Sequence, residues 1–173
     1  MTVLALAFHY CRKQPALTAI SGNNREALMK RRFKDLSPAE VLALAIRAEE
    51  EDARIYQEYA RLVREKFPRT AAALDAIRAE EDVHRHRLIQ LFQKKFGNEI
   101  PLVRREEVRG FFVRPPVTFF GRDVVGKIRR QIALMEAEAQ QFYTRAAGET
   151  SDVELHSLLS DLAAAERQHE ALS

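Results

Sequence analysis

Two short stretches of the chain each set an acid and an imidazole three residues apart. "AEEDVHRHRL" (79–88) carries Glu81 and His84, and "AAAERQHEAL" (163–172) carries Glu166 and His169. Residues at that spacing share one face of a helix, so each pair offers an oxygen donor and a nitrogen donor to the same point. Both pairs occupy places that the surrounding pattern fills with leucine. One stripe reads Leu74, Ile77, Glu81, His84, Leu88, Leu91; the other reads Leu155, Leu159, Leu162, Glu166, His169. A carboxylate in an apolar seam is costly unless it is paired or coordinates a metal. Two more acids, Glu49 and Glu136, lie on apolar stripes upstream. Each is followed by a tyrosine at +7 (Tyr56, Tyr143) and an alanine at +11 (Ala60, Ala147).

Taken together, Glu49, Glu81, His84, Glu136, Glu166 and His169 are six candidate metal ligands. Four carboxylates nearly neutralise two divalent cations, and two neutral imidazoles complete the set. Mixed oxygen and nitrogen ligation with open positions suits iron or manganese better than zinc or calcium. One Glu-x-x-His alone would be a weak signal; its duplication with the upstream Glu and Tyr carries the reading. Within "EEED", Glu50 stays open as an alternative to Glu49, and Glu138 as an alternative to Glu136. Tyr56 and Tyr143 are the candidate catalytic-site residues, their hydroxyls expected to hydrogen-bond ligand carboxylates; filling the core is the commoner role of a tyrosine. His86 is expected at the surface, and His9 and His156 show no partner.

Four helices must position these residues. Ser37-Pro38-Ala39-Glu40 reads as a capping box with proline in the first turn, opening a helix to about Lys66 that Pro68 ends. Its inward positions are Leu42, Ile46, Glu49, Ala53, Tyr56, Ala60 and Val63. A second helix runs from about Arg69 to Lys95 and stops at Gly97. Residues 97–120 read as a long connection. A third helix covers about Arg122 to Ala147, closed by Gly148, with Ile132, Glu136, Ala139, Tyr143 and Ala146 inward. The fourth is expected to start at a Ser151 cap with Glu154 three residues on. Short links make antiparallel neighbours and the long link allows a crossover. The expectation is an all-α four-helix bundle made of two antiparallel hairpins, the second an internal repeat of the first.

Composition bounds the rest. The chain's 173 residues suffice for one domain with a real core. The net charge of +3, the lack of tryptophan and the lack of interleaved aromatic and basic residues give no footprint of nucleic-acid binding. The one cysteine, Cys11, cannot form an internal disulfide, which favours a reducing compartment. No apolar run is long enough to span a membrane. Residues 1–32 read as an N-terminal extension, with Met29 an alternative start, and residues 33–173 as the domain. The abrupt end after His169 suggests one domain of a longer protein.

These motifs resemble the ferritin-like superfamily, and within it the rubrerythrins, over about residues 33–173. "MKRRFKDLSPAEVLALAIRAEEEDARIY" and "IPLVRREEVRGFFVRPPV" look closer still to the rubrerythrin-like domain of the membrane-bound ferritin group, which precedes a vacuolar-iron-transporter-type membrane domain. The resemblance implies a domain with two irons that binds Fe(II) and oxidises it with peroxide or oxygen, serving iron homeostasis and resistance to oxidative stress. It implies a homodimer on the cytoplasmic side, with membrane association only through a C-terminal domain absent from this chain. The alternative is a non-catalytic module that senses iron or delivers it to a transporter. Two departures stand out: this chain lacks the paired Cys-x-x-Cys motifs of rubrerythrins proper, and Ala139 stands where they carry an extra carboxylate.

Overall fold

The computed structural model describes residues 30–109 and 123–172. Helix α1 spans Pro38–Val63, α2 spans Pro68–Phe96, α3 spans Val124–Glu149 and α4 spans Val153–Leu172. Two two-residue strands, β1 (Arg31–Arg32) and β2 (Val108–Arg109), pair in parallel, with Arg31 opposite Val108.

The helix boundaries follow from local chemistry. The Ser37 hydroxyl accepts from Glu40 N, the Glu40 carboxylate accepts from Ser37 N, and Pro38 takes the first helical position. Pro68 opens α2 in the same way, and α2 ends at Gly97, whose φ of +86° few other residues adopt. Asp123, not foreseen as a cap, accepts from Gly126 N at 3.0 Å. A Cβ on Gly126 would lie 2.4 Å from that carboxylate, so a larger residue there would push the exposed Asp123 side chain aside. Two expectations change at the second hairpin. Helix α3 runs past Gly148 to Glu149, and α4 is capped by Asp152 rather than Ser151: Asp152 Oδ1 accepts from Leu155 N at 3.0 Å. Glu154 is therefore free of the cap and pairs with Lys94 and Lys95 on α2.

Packing is densest within the hairpins α1–α2 and α3–α4. Contacts between hairpins set the directions. Tyr56 reaches Glu136 while Tyr143 reaches Glu49, so α1 and α3 run antiparallel. Arg87 pairs with Asp161 at 2.9 Å and Lys94 with Glu154 at 2.6 Å, so α2 and α4 are antiparallel too. The 97–123 connection consequently joins opposite ends of the bundle. The expected all-α bundle of two hairpins with a crossover is what forms.

The expected stripes face inward on every helix, with Ile77 and Ala139 half-buried and the other members buried. The apolar core divides into two clusters. One holds Phe33, Leu42, Ile46, Leu88, Phe92 and Leu159; the other holds Tyr59, Val63, Leu74, Ile128, Ile132 and Met135. The acids and histidines lie between them.

Candidate metal centre

Each of the six candidate ligands is buried: Glu49 at 3 % exposure, Glu81, Glu136 and Glu166 at 2 %, His84 at 7 % and His169 at 4 %. One helix supplies each acid, with α2 and α4 adding the histidines. Three-residue spacing lays His84 Nδ1 3.1 Å from Glu81 Oε2 on α2. Across the bundle the same nitrogen lies 3.6 Å from Glu166 Oε1 and 3.9 Å from Glu49 Oε2. His169 Nδ1 lies 3.4 Å from Glu136 Oε2, 3.5 Å from Glu81 Oε1 and 3.7 Å from Glu166 Oε2. The two imidazoles stack with centroids 6.1 Å apart. The donors form two groups, Glu49–Glu81–His84–Glu166 and Glu81–Glu136–Glu166–His169, each with its ligand atoms within 4.8 Å of one another. Glu81 and Glu166 belong to both.

The tyrosines cross between hairpins. Tyr56 of α1 donates its hydroxyl proton to Glu136 Oε1 of α3, and Tyr143 of α3 donates to Glu49 Oε1 of α1. Each therefore serves the acid of the opposite helix, not the one seven residues before it.

The run "EEED" sends its four acids in different directions. Glu49 enters the cluster. Glu50, the alternative, pairs with Arg54 at 2.7 Å on the surface. Glu51 turns to Arg105, and Asp52 is buried at 6 % exposure outside the six-ligand cluster. On α3, Glu136 enters the cluster and half-buried Glu138 does not. His86 is exposed as expected. His156 has a partner after all: its Nδ1 lies 2.9 Å from the Ala147 carbonyl, tying the first turn of α4 to the end of α3. His9 lies outside the described residues.

Two acids near the site escaped the sequence reading, one buried and one exposed. Asp52 lies three residues after Glu49, a spacing that could have flagged it. Glu80 is the other: its carboxylate lies 2.8 Å from His169 Nε2, the ring nitrogen facing away from the cluster. Its side chain is 60 % exposed, so a search for polar residues on apolar stripes passes over it.

Without a cation the cluster shares protons to stay near neutral. Burial pushes Glu49 well above the usual carboxylate range, and neighbouring Glu81 adds to the rise. Burial lifts Glu136 to about 8, against the opposing pull of His169. Burial also disfavours charge on Glu81, but contacts with His169 and His84 outweigh it and hold Glu81 at about 2. Glu166 is lowered against its burial by the same two histidines. His84 is raised to about 9 despite burial, by Glu166 and Glu81, and His169 is raised further by Glu136, Glu166 and Glu81.

The donor set fits a metal. Glu136 Oε2 and Glu166 Oε1 are fully buried and accept no hydrogen bond, a costly arrangement that cations between the groups would relieve. Carboxylates with two imidazoles are the ligand chemistry of iron and manganese.

Comparisons with known proteins agree with this geometry. The sequence model of the rubrerythrin family matches residues 40–172, from the first turn of α1 to the end of α4. A solved structure, a hypothetical protein from Pyrococcus furiosus, is similar in fold: 24 % identity, TM-score 0.66, covering 81 % of this chain and 87 % of that one. Comparison with the curated proteins finds no match. The family match implies iron binding, and the buried cluster is a site that fits it. With the match running through all four helices, the chain belongs to the rubrerythrin family of the ferritin-like superfamily.

Proposed function

We propose that this domain binds two ferrous ions between its hairpins and oxidises them with peroxide or oxygen, in iron homeostasis and protection from oxidative stress. One observation carries the reading: two four-ligand groups, fully buried, that share Glu81 and Glu166. Glu81 and Glu166, common to both groups, would help to hold both positions. Glu49 and His84 would complete one position, and Glu136 and His169 the other. Iron held by these residues would supply the electrons, one from each ion, that a two-electron oxidant takes up.

The residues of the chain do the rest. Tyr56 and Tyr143 hold the outer acids, Glu136 and Glu49, in one orientation through their hydroxyl protons. The two apolar clusters close the site at both ends and keep bulk water from the carboxylates. The likeness of "IPLVRREEVRGFFVRPPV" to the membrane-bound ferritin group supports a cytoplasmic domain, working as a dimer beside an iron exporter. Among the described residues no helix is long and apolar enough to cross a membrane.

Metal analysis tests the ligand set. Glu81→Ala and His169→Ala proteins are expected to purify without stoichiometric iron; a full complement in both overturns the site. Ferroxidase and peroxidase assays on the iron-loaded protein then test the chemistry. Many turnovers support an oxidoreductase, whereas a single stoichiometric oxidation assigns the domain to iron delivery.

A further inference from the structure

We propose that the two metal positions are unequal, because Glu80 braces His169 and, among the described residues, nothing equivalent braces His84. The position of Glu136 and His169 is the tight one, and that of Glu49 and His84 is the exchangeable one. This deepens the metal-binding reading above and rests on it.

Most of the site obeys the internal repeat. Glu49 is matched by Glu136, Glu81–His84 by Glu166–His169, and the bond from Tyr143 to Glu49 by that from Tyr56 to Glu136. Glu80 breaks the pattern. It precedes Glu81, and the residue preceding Glu166 is Ala165. Both histidines turn Nδ1 toward the cluster. The outer nitrogen of His169 meets the Glu80 carboxylate at 2.8 Å. Among the described residues His84 has no such partner; it lines an open depression of about 290 Å³ with Ala79, Glu80 and Val83.

The chemistry of that difference is direct. A carboxylate on the outer nitrogen fixes the proton there, leaves the inner nitrogen's lone pair aimed at the metal, and raises its basicity. It also locks the ring before the metal arrives, so less freedom is lost on binding. His84 is held through its inner nitrogen, 3.1 Å from Glu81 Oε2, while its outer edge has only packing, and the depression gives an ion or a small ligand access to its side of the site. The tight position would fill first and stay filled, while the other exchanges through the depression.

Metal-free protein titrated anaerobically with Co2+, followed by visible absorption and calorimetry, is expected to take up two ions in separated steps. Glu80→Ala weakens the tight step by about 10–100-fold, the usual cost of losing such a partner, and leaves the weak step in place. Glu80→Gln keeps an acceptor oxygen and recovers part of the loss. Ala165→Glu builds the missing counterpart and strengthens the weak step. In histidine-labelled protein, the first equivalent of Zn2+ shifts the ring nitrogens of His169 and the second those of His84. Two indistinguishable steps in the unmodified protein, a first response from His84, or a Glu80→Ala protein in which both steps fall alike overturns the inequality. An absence of any Co2+ uptake by the unmodified protein overturns the metal site itself.

Discussion

Glu49 and Glu136 are the two acids of the cluster whose pKa burial raises, and they are the two that receive a tyrosine hydroxyl. At neutral pH in the metal-free protein, Glu81 and Glu166 are ionised and the two histidines are protonated, so charges cancel within the site. A cation needs all four carboxylates charged and both rings neutral, so loading must expel the protons of Glu49, Glu136, His84 and His169. Calorimetry at pH 7 in buffers of different ionisation enthalpy is expected to show net proton release on full loading, with Glu136 and the two histidines among its sources. Affinity rises with pH, and the release diminishes as pH passes about 8 and then about 9, where Glu136 and His84 lose their protons unaided. A pH-independent affinity would contradict this proton ledger. Tyr143 is fully buried and its hydroxyl serves Glu49 alone among the acids of the site. Tyr143→Phe leaves Glu49 short of a donor and is expected to cost about 1–3 kcal/mol of metal-free stability, read from urea unfolding. Tyr56→Phe is expected to do the same through Glu136.

Helix α1 shows how far an element can be read from its own residues. Ser37, Pro38 and Glu40 specify its start, and the steps of three and four through Leu42, Glu49, Tyr56 and Val63 specify its inner face. The same periodicity exposes the acids and histidines on all four helices, because a charged residue in an apolar stripe is conspicuous in the sequence alone. What escapes it depends on neighbours remote in the chain. Residues 41–46, "VLALAI", are buried all round because Phe33, Val103 and Val108, from segments flanking the hairpin, pack with them. The β1–β2 pairing that holds those segments together is two residues long and leaves no alternating pattern to read. Ser151 and Asp152 are both good caps, and only the backbone geometry chooses Asp152. The α1 cap also joins the strand to the bundle. Arg31 hydrogen-bonds Glu40 (Nη2 to Oε2, 3.0 Å) and is the main cause of a Glu40 pKa of about 2. A carboxyl held below its ordinary value of 4.5 stabilises the fold above that pH and ceases to do so as pH falls toward about 2. Between pH 5 and pH 3, Glu40→Gln is therefore expected to lose less stability than the unmodified protein, measured as the shift in urea midpoint. Ser37→Ala is expected to cost about 1 kcal/mol at neutral pH and less once Glu40 is protonated, because the Ser37 hydroxyl also donates to the Glu40 carboxylate and helps to hold its pKa down.

At the scale of the molecule, the centre is a polar layer between two dry ones. Its ligands come from both hairpins, Glu49, Glu81 and His84 from the first and Glu136, Glu166 and His169 from the second, while the packing is concentrated within each hairpin. The surface pairs that cross the seam between α2 and α4, such as Arg87–Asp161 and Lys94–Glu154, are solvated, and exposed ion pairs add about 0–1 kcal/mol each. Ions at the centre would add to the ties that the apolar clusters and the two tyrosine bonds already make between the halves. A ligand that binds only the folded state stabilises it by about 2.7 kcal/mol at a concentration 100 times its dissociation constant, and by more as the excess grows. Removing metal with a chelator is expected to lower the melting temperature. It is also expected to raise hydrogen exchange where the hairpins meet, around residues 49–56, 81–84, 136–143 and 166–169. The capped start of α1, tied to β1 through Arg31 and Glu40, keeps its protection. Uniform loss of protection along all four helices would instead mean that the metal stabilises each hairpin internally, and the view of the centre as a clamp between two halves would fail.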